Sequence, residues 1–149
     1  RRYIAPMRYV CDAPGGATWF RLETEAEAEA EAALMRHSVD KYFRRYEAAA
    51  RETYRAPPGA PTFEQGIGLK DHVARSMPLF LTLRSDAGDG LATAMLPPEG
   101  RNQVNFRIVI VGPENGDPYV EHETAINALA AHFGLTLDRE SCFPYASTT

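Results

Sequence analysis

Hydrophobic and polar residues repeat with a helical period from residue 24 to residue 55, and this pattern predicts one long helix. Thr24 and Glu27 have the spacing of a capping box, which satisfies free amides at a helix start. The positions that share one helix face are Ala28, Ala32, Met35, Val39, Tyr42, Tyr46, Ala50 and Thr53. Such a helix would extend roughly 45 Å, beyond the roughly 38 Å diameter of a domain this size. We therefore expect it to span the body, protrude from it or kink.

Five shorter runs rich in aliphatic, β-branched and aromatic residues predict strands. Residues 7–12 and 18–22 flank a Pro-Gly-Gly turn and predict a hairpin. Residues 79–84, 91–96 and 104–111 follow one another, with Asp, Gly and Pro in the turns between them. Because sequential strands joined by short turns pair antiparallel, these three runs predict a meander.

The rest of the chain is divided between connectors and helices. Three prolines and three glycines make residues 56–68 a predicted connector with little regular structure, followed by a short helix over 69–76. A last helix is predicted to begin at Asp117, an N-cap acid followed by proline, and to stop at Gly134. Residues 135–137 are a candidate final strand.

This order of elements predicts an α+β fold in two layers. We expect an antiparallel sheet of about five strands, an N-terminal hairpin plus a three-stranded meander, packed against one long and one medium helix. Residues 1–149 are expected to form a single domain, since a chain of this length can bury a core without metal or disulfide support. The 44% of apolar residues and 24% of charged residues agree with an ordered globular protein.

Charge and hydropathy narrow the class of protein. The net charge of −4 argues against non-specific nucleic-acid binding by the whole molecule. No apolar run reaches the roughly 18 residues of a membrane span, and no signal-type segment opens the chain. We expect a cytoplasmic protein of bacterial type without membrane contact, and we expect Met7 to be its natural start. Cys11 and Cys142 could pair if the two ends of the chain meet, but free thiols are the favoured interpretation.

A basic stripe at the end of the long helix is the first candidate site. Its members, which we predict to bind a partner, are Lys41, Arg44, Arg45, Arg51 and Arg55. Arginines one turn apart can contact the phosphates of a nucleic acid or an acidic protein surface. The alternative is a solvated face, because basic residues near a helix C-terminus are favoured by the helix dipole alone.

An acidic junction between the last strand and the last helix is the second candidate. Its residues suit a cation or another ligand: Glu114, Asn115, Asp117, Glu121 and His122. Their spacing matches no calcium loop, so we predict no metal site. Capping of the helix and compensation of its dipole also explain these acids. Cys142, paired with a histidine, is a weaker candidate nucleophile, and a packing role for this thiol is favoured.

The order of two helices, a meander and a strand–loop–helix crossing resembles the central part of the GNAT acetyltransferases. That family holds a cofactor pyrophosphate with the amides of a Gln/Arg-x-x-Gly-x-Gly/Ala turn, at the junction filled here by residues 112–119. The resemblance implies a small transferase that uses this junction. The turn Gly-Pro-Glu-Asn-Gly-Asp-Pro lacks the basic first residue and the second close glycine. Glu114 and Asp117 would also repel a phosphate, so we predict no coenzyme A, nucleotide or other cofactor here.

The favoured hypothesis for function is an accessory protein that binds a protein or another acidic partner through the basic end of the long helix. We expect a homodimer, because the overhanging apolar stripe would favour a second copy. The alternatives are a transferase-like enzyme at the 112–119 junction and a nucleic-acid-associated protein. A pocket with converging polar groups at the sheet–helix junction would favour the enzyme, and an exposed aromatic stripe would favour the binding protein.

Overall fold

The fold is built on five antiparallel strands, and the computed structural model describes residues 7–145. The strands are β1 (Arg8–Asp12), β2 (Thr18–Arg21), β3 (Leu79–Arg84), β4 (Gly90–Leu96) and β5 (Val109–Val111), and they neighbour one another in chain order. The predicted antiparallel sheet and the mixed α+β fold are therefore confirmed. The expectation that the natural chain starts at Met7 concerns residues 1–6, which lie outside the described residues.

Four α-helices are found in residues 7–145, where the sequence predicted one long and one medium helix beside a short one. They are α1 (Glu25–Met35), α2 (Val39–Thr53), α3 (Thr62–Ser76) and α4 (Tyr119–Phe133). Alternate side chains of β3 belong to different cores: Leu81 and Leu83 pack with α4, and Phe80 packs with α1, α2 and α3. Helices thus lie against both faces of the sheet, so the expected two layers are three.

The single helix predicted over residues 24–55 is wrong, because the chain turns between α1 and α2. Arg36 adopts the left-handed conformation with φ 56°, and the amides of Arg36 and His37 both donate to the carbonyl oxygen of Ala32. Two helices of roughly 17 and 22 Å can both lie on one small sheet, which a 45 Å rod cannot do. The overhang that motivated the dimer is absent from these residues. The dimer itself stays a prediction without that support.

The sequence predicted the start of α1 correctly but one buried position of α2 incorrectly. The capping box is confirmed, since Glu27 N–H donates to Thr24 Oγ1 and the Glu27 carboxylate accepts from the Thr24 amide. On α2, however, Phe43 is buried against Phe80, with ring centroids 5.4 Å apart, while Tyr42 is half exposed. Val39, Tyr46 and Ala50 of the predicted face do pack in the same core. The predicted face therefore differs from the structure at Tyr42, whose place is taken by Phe43.

Three element boundaries also depart from the predictions. Helix α3 begins at Thr62, inside the expected connector, and Gly68 lets the Tyr54 hydroxyl approach closer than a Cβ would permit. Strand β5 keeps only three of the eight residues expected over 104–111. Residues 135–137 form no strand, although Leu137 is buried in the core beneath α4.

Helix α4 closes the second face of the sheet. Ala125, Ile126 and Leu129 are buried, and Gly134 ends the helix in the left-handed conformation, as predicted for that residue. The indole of Trp19, which has no exposed surface, donates from Nε1 to the carbonyl oxygen of Ala125 at 2.8 Å. This bond joins the middle of α4 to β2. Among residues 7–145, no helix is long and apolar enough to cross a membrane.

Candidate functional site

A cleft of about 620 Å³ opens on the face of the sheet that carries α1, α2 and α3. One wall is the α1–α2 corner and the first turns of α2. The floor is formed by β3 and β4, and the opposite wall by β5 and by Phe143 and Pro144. Phe143 exchanges backbone hydrogen bonds with Ile108 and Ile110, which places this short segment alongside β5. The cleft therefore lies where the regular sheet ends.

We call the end of the cleft next to the α1–α2 turn the corner end. A chain of buried polar groups supports it. His37 Nε2 lies 2.8 Å from Thr93 Oγ1. The Thr93 hydroxyl donates to Glu31 Oε2, and Arg84 Nη2 donates to Glu31 Oε1 at 2.7 Å. Glu31 has no exposed surface, and a buried carboxylate is stable only when it is paired and hydrogen-bonded. The chain fixes His37 at the edge of the cleft.

The hydrogen bonds of His37 define its tautomer. Because the Thr93 proton goes to Glu31, Thr93 Oγ1 must accept from His37 Nε2–H. His37 Nδ1 is then the acceptor, and it receives a long hydrogen bond of 3.4 Å from the Val39 amide. Burial lowers the pKa of His37 below its ordinary value, although the carboxylate of Glu31 opposes the shift. His37 therefore lines the cleft as a neutral side chain, and both of its ring nitrogens form hydrogen bonds.

We call the other end of the cleft the arginine end, because it carries the positive charges of Arg45 and Arg107. The guanidinium carbon of Arg45 lies 5.3 Å from the ring centroid of Tyr42, and that of Arg107 lies 5.0 Å from the centroid of Phe143. Within residues 7–145, no carboxylate lies within ion-pair distance of either arginine. A guanidinium held against a ring keeps its planar edge available for an acid group.

The pairing register of β4 and β5 shows how far the arginine end lies from the corner end. Thr93, which bonds His37, lies opposite Val111. Two residues along, Met95 lies opposite Val109, and Arg107 is two residues farther again. On the facing wall, Arg45 is six residues beyond the start of α2, or roughly 9 Å along the helix axis. Tyr46, the next residue along α2, has its ring centroid 6.2 Å from that of Phe80, which lies opposite Met95. Both arginines are therefore displaced in the same direction from the corner, with apolar side chains between.

The predicted basic stripe is dispersed, and only Arg45 reaches the cleft. Arg44 forms an ion pair with Asp40, one turn earlier on α2, at 3.1 Å, and another with Glu25 at 3.6 Å, which ties α2 to α1. Arg55 donates to backbone carbonyls at the end of α2. The other two members, Lys41 and Arg51, are exposed.

The predicted acidic junction is also dispersed. Glu114 forms an ion pair with Arg36 of the corner at 3.3 Å. Asp117 binds Arg139 at 2.6 Å and accepts a hydrogen bond from the Tyr119 amide at 2.9 Å, so it caps α4 and neutralises an arginine. Glu121 Oε2 lies 3.8 Å from Nε2 of the neighbouring His122. Of the five predicted residues only Asn115 lines the cleft.

Cys142 lies away from the cleft, in the core beneath α4, and has no exposed surface. Burial raises the pKa of its thiol, which is the opposite of what a nucleophilic thiolate requires. Cys11 and Cys142 are both free thiols, as favoured from the sequence. Among residues 7–145, no group of three His, Cys, Asp or Glu side chains is arranged to hold a metal ion.

Two residues of the site were missed in the sequence although the chain carries a signal for each. Arg107 alternates with Ile108, so it shares a face with Val109 and Val111 and belongs to the same surface. Glu31 follows Ala28 by three residues and precedes Met35 by four, which places a carboxylate on the buried face of α1.

No protein-family model, no curated protein and no solved structure matches this chain significantly.

Proposed function

We propose that this protein binds, in the cleft, a small molecule that has an apolar or aromatic body and an acid group. The observation that carries the proposal is the arginine end, where Arg45 and Arg107 each lie against an aromatic ring without a carboxylate partner in residues 7–145. A carboxylate or phosphate group supplies the missing partner. The sequence predicted a protein or another acidic partner. In this proposal the acidic partner is a small molecule.

The middle of the cleft supports the apolar part of the ligand. Val39 and Tyr46 on the helix side face Met95 and Phe80 on the sheet side, and Val109 continues the wall toward the arginines. Ligand sites are commonly clefts of about 300–1,000 Å³ with a mostly apolar lining and a few placed polar groups. A cavity of about 620 Å³ has that size and composition.

Binding is favoured over catalysis by the state of the titratable groups. A general base needs a free lone pair within reach of the substrate, and His37 uses Nδ1 to accept and Nε2 to donate. The transferase alternative at the 112–119 junction has less support, because the Gly112, Gly116 and Tyr119 amides already donate within that turn. The cleft is thus a recognition site in this proposal.

The proposal is tested by titrating three probes into the protein by isothermal titration calorimetry: 3-phenylpropionate, phenyl phosphate and the neutral 3-phenylpropionamide. At least one of the acids should bind saturably, and the amide should bind at least tenfold more weakly. Arg45→Gln and Arg107→Gln should each weaken binding of that acid by roughly tenfold to a hundredfold, since hydrogen bonds to charged groups contribute about 1.5–3 kcal/mol.

Arg51→Gln is the matched control. It removes the same charge from the same helix at an exposed position outside the cleft, so it should leave the affinity unchanged within about twofold. Equal losses in Arg45→Gln and Arg51→Gln would show a diffuse charge effect and contradict a site at the arginine end. Failure of both acids to bind would overturn the proposal.

A further inference from the structure

We propose that Asn115 is the specificity-determining residue of the cleft, and that it selects ligands with a neutral hydrogen-bonding group at the end opposite the acid. The inference rests on the proposed function and deepens it, because it names the class of ligand: an aromatic acid with a hydroxyl or amide group at its far end. Asn115 lines the corner end, where a carboxamide can both donate and accept.

The backbone around Asn115 adopts a conformation that residues with a Cβ seldom adopt. Arg36, Glu114, Asn115 and Glu99 are the non-glycine residues with positive φ in the described part of the chain. The first three meet at the corner end of the cleft. Left-handed backbone is unfavourable for residues with a Cβ, more so for Glu and Arg than for Asn, and such residues cluster at binding sites. Glycine would fit each position without this conformational cost, but it would supply no side chain.

The three left-handed residues lie where the Pro113–Asn115 turn meets the α1–α2 corner. Glu114 reaches the corner and pairs with Arg36 at 3.3 Å, so the turn Pro113–Asn115 is connected to the opposite wall of the cleft. The neighbouring residue, Asn115, lines the same cleft as His37 and Ser38. Gly116 N–H donates to the Pro113 carbonyl oxygen, which closes the turn behind it.

The chemistry of the corner end selects a neutral group. The side chains that line it are His37, Ser38, Thr93 and Asn115, and the Thr93 hydroxyl is already committed to Glu31. His37 is neutral and uses both nitrogens. Arg36 and Glu114 beside the corner pair with each other, so the corner offers a second acid or an amine no unpaired opposite charge within residues 7–145. A hydroxyl or amide can exchange hydrogen bonds with Asn115 while the acid group lies at the arginine end.

The test compares two ligands that differ only at the far end, 3-(4-hydroxyphenyl)propionate and 3-phenylpropionate. Wild-type protein should bind the hydroxylated acid several-fold to about tenfold more tightly, the expected effect of one neutral hydrogen bond. Asn115→Gly should remove this preference, keep the affinity for 3-phenylpropionate, and leave the melting temperature unchanged or higher because glycine relieves the left-handed backbone.

Glu99→Gly is the matched control, since Glu99 has φ 58° in the Pro98–Gly100 turn outside the cleft lining. It should keep the preference for the hydroxylated acid. Equal binding of the two acids by wild type, or a preference that survives in Asn115→Gly, would overturn the role of Asn115 and leave the acid-binding function standing. If neither acid binds, the proposed function fails, and the specificity inference fails with it.

Discussion

Glu31→Gln is the substitution that best tests how the corner end of the cleft is supported. Glutamine keeps the shape of glutamate but replaces one carboxylate oxygen by an NH2 group and removes the charge. Arg84 would lose its anionic partner, and its side chain is only 11% exposed. Thr93, buried between Glu31 and His37, would lose a charge-assisted hydrogen bond. Each effect leaves a buried donor poorly satisfied.

The expected cost follows from the burial of the pair. Removing one partner of a buried ion pair costs about 3–5 kcal/mol because the other charge stays desolvated. Arg84 keeps a little contact with water, so we expect the lower end, about 3 kcal/mol. For a chain of about 150 residues this corresponds to a fall in melting temperature of roughly 6–12 °C. Urea unfolding, followed by circular dichroism, measures the free energy directly.

A double-mutant cycle distinguishes the pair from general disruption. Arg84→Met alone should also be costly, since it leaves the Glu31 carboxylate without its cation. The combined Glu31→Gln/Arg84→Met variant should lose about 2–3 kcal/mol less than the sum of the single variants. Glu25→Gln is the control, because Glu25 pairs with Arg44 on the exposed side of α1 and should cost less than about 1 kcal/mol. A Glu31→Gln cost below about 1 kcal/mol, or strictly additive changes, would refute the reasoning.

Two further predictions concern the corner and the core. Burial lowers the pKa of His37, so below about pH 6.5 the unfolded chain binds more protons than the folded one, and stability falls as pH drops through that value. His37→Gln should flatten this fall in urea unfolding between about pH 7.5 and 5, and an unchanged slope would contradict a neutral His37. Phe43→Ala should cost about 3–5 kcal/mol in the same assay, and Tyr42→Ala about 1 kcal/mol or less, because only Phe43 is buried. Equal costs would return Tyr42 to the packed face of α2, as predicted from the sequence.

Local chemistry predicted those parts of the fold that depend on neighbours in the chain. The capping box at Thr24, the turn residues between β3 and β4, and the stop at Gly134 each depend on a few adjacent residues, and each is present. The break at Arg36 carries no comparable signal, because the left-handed residue is an arginine and no proline follows. The turn there depends on contact with the sheet. The helical period of hydrophobic residues carries no information about that contact.

The cleft depends on contacts between distant residues, so the sequence predicted its members singly or assigned them elsewhere. Arg45 was one of five basic residues, and Asn115 one of five at the junction. Nothing in their spacing relates them to each other or to Arg107. They come together because the sheet places β5 beside β4 and the α1–α2 turn directs α2 across the floor. Glu31 was overlooked because its Glu-Ala repeat is typical of a solvated helix.

Trp19 makes the two sides of the sheet separately observable in solution. It is the only tryptophan of the chain, and it is buried on the α4 side, with its indole bonded to Ala125. Its emission will therefore report the detachment of α4 from the sheet. The cleft on the other side contains Tyr42 and Tyr46 and no tryptophan, so a bound ligand should change tyrosine fluorescence first. One sample, excited at two wavelengths, can thus follow ligand binding and core opening independently.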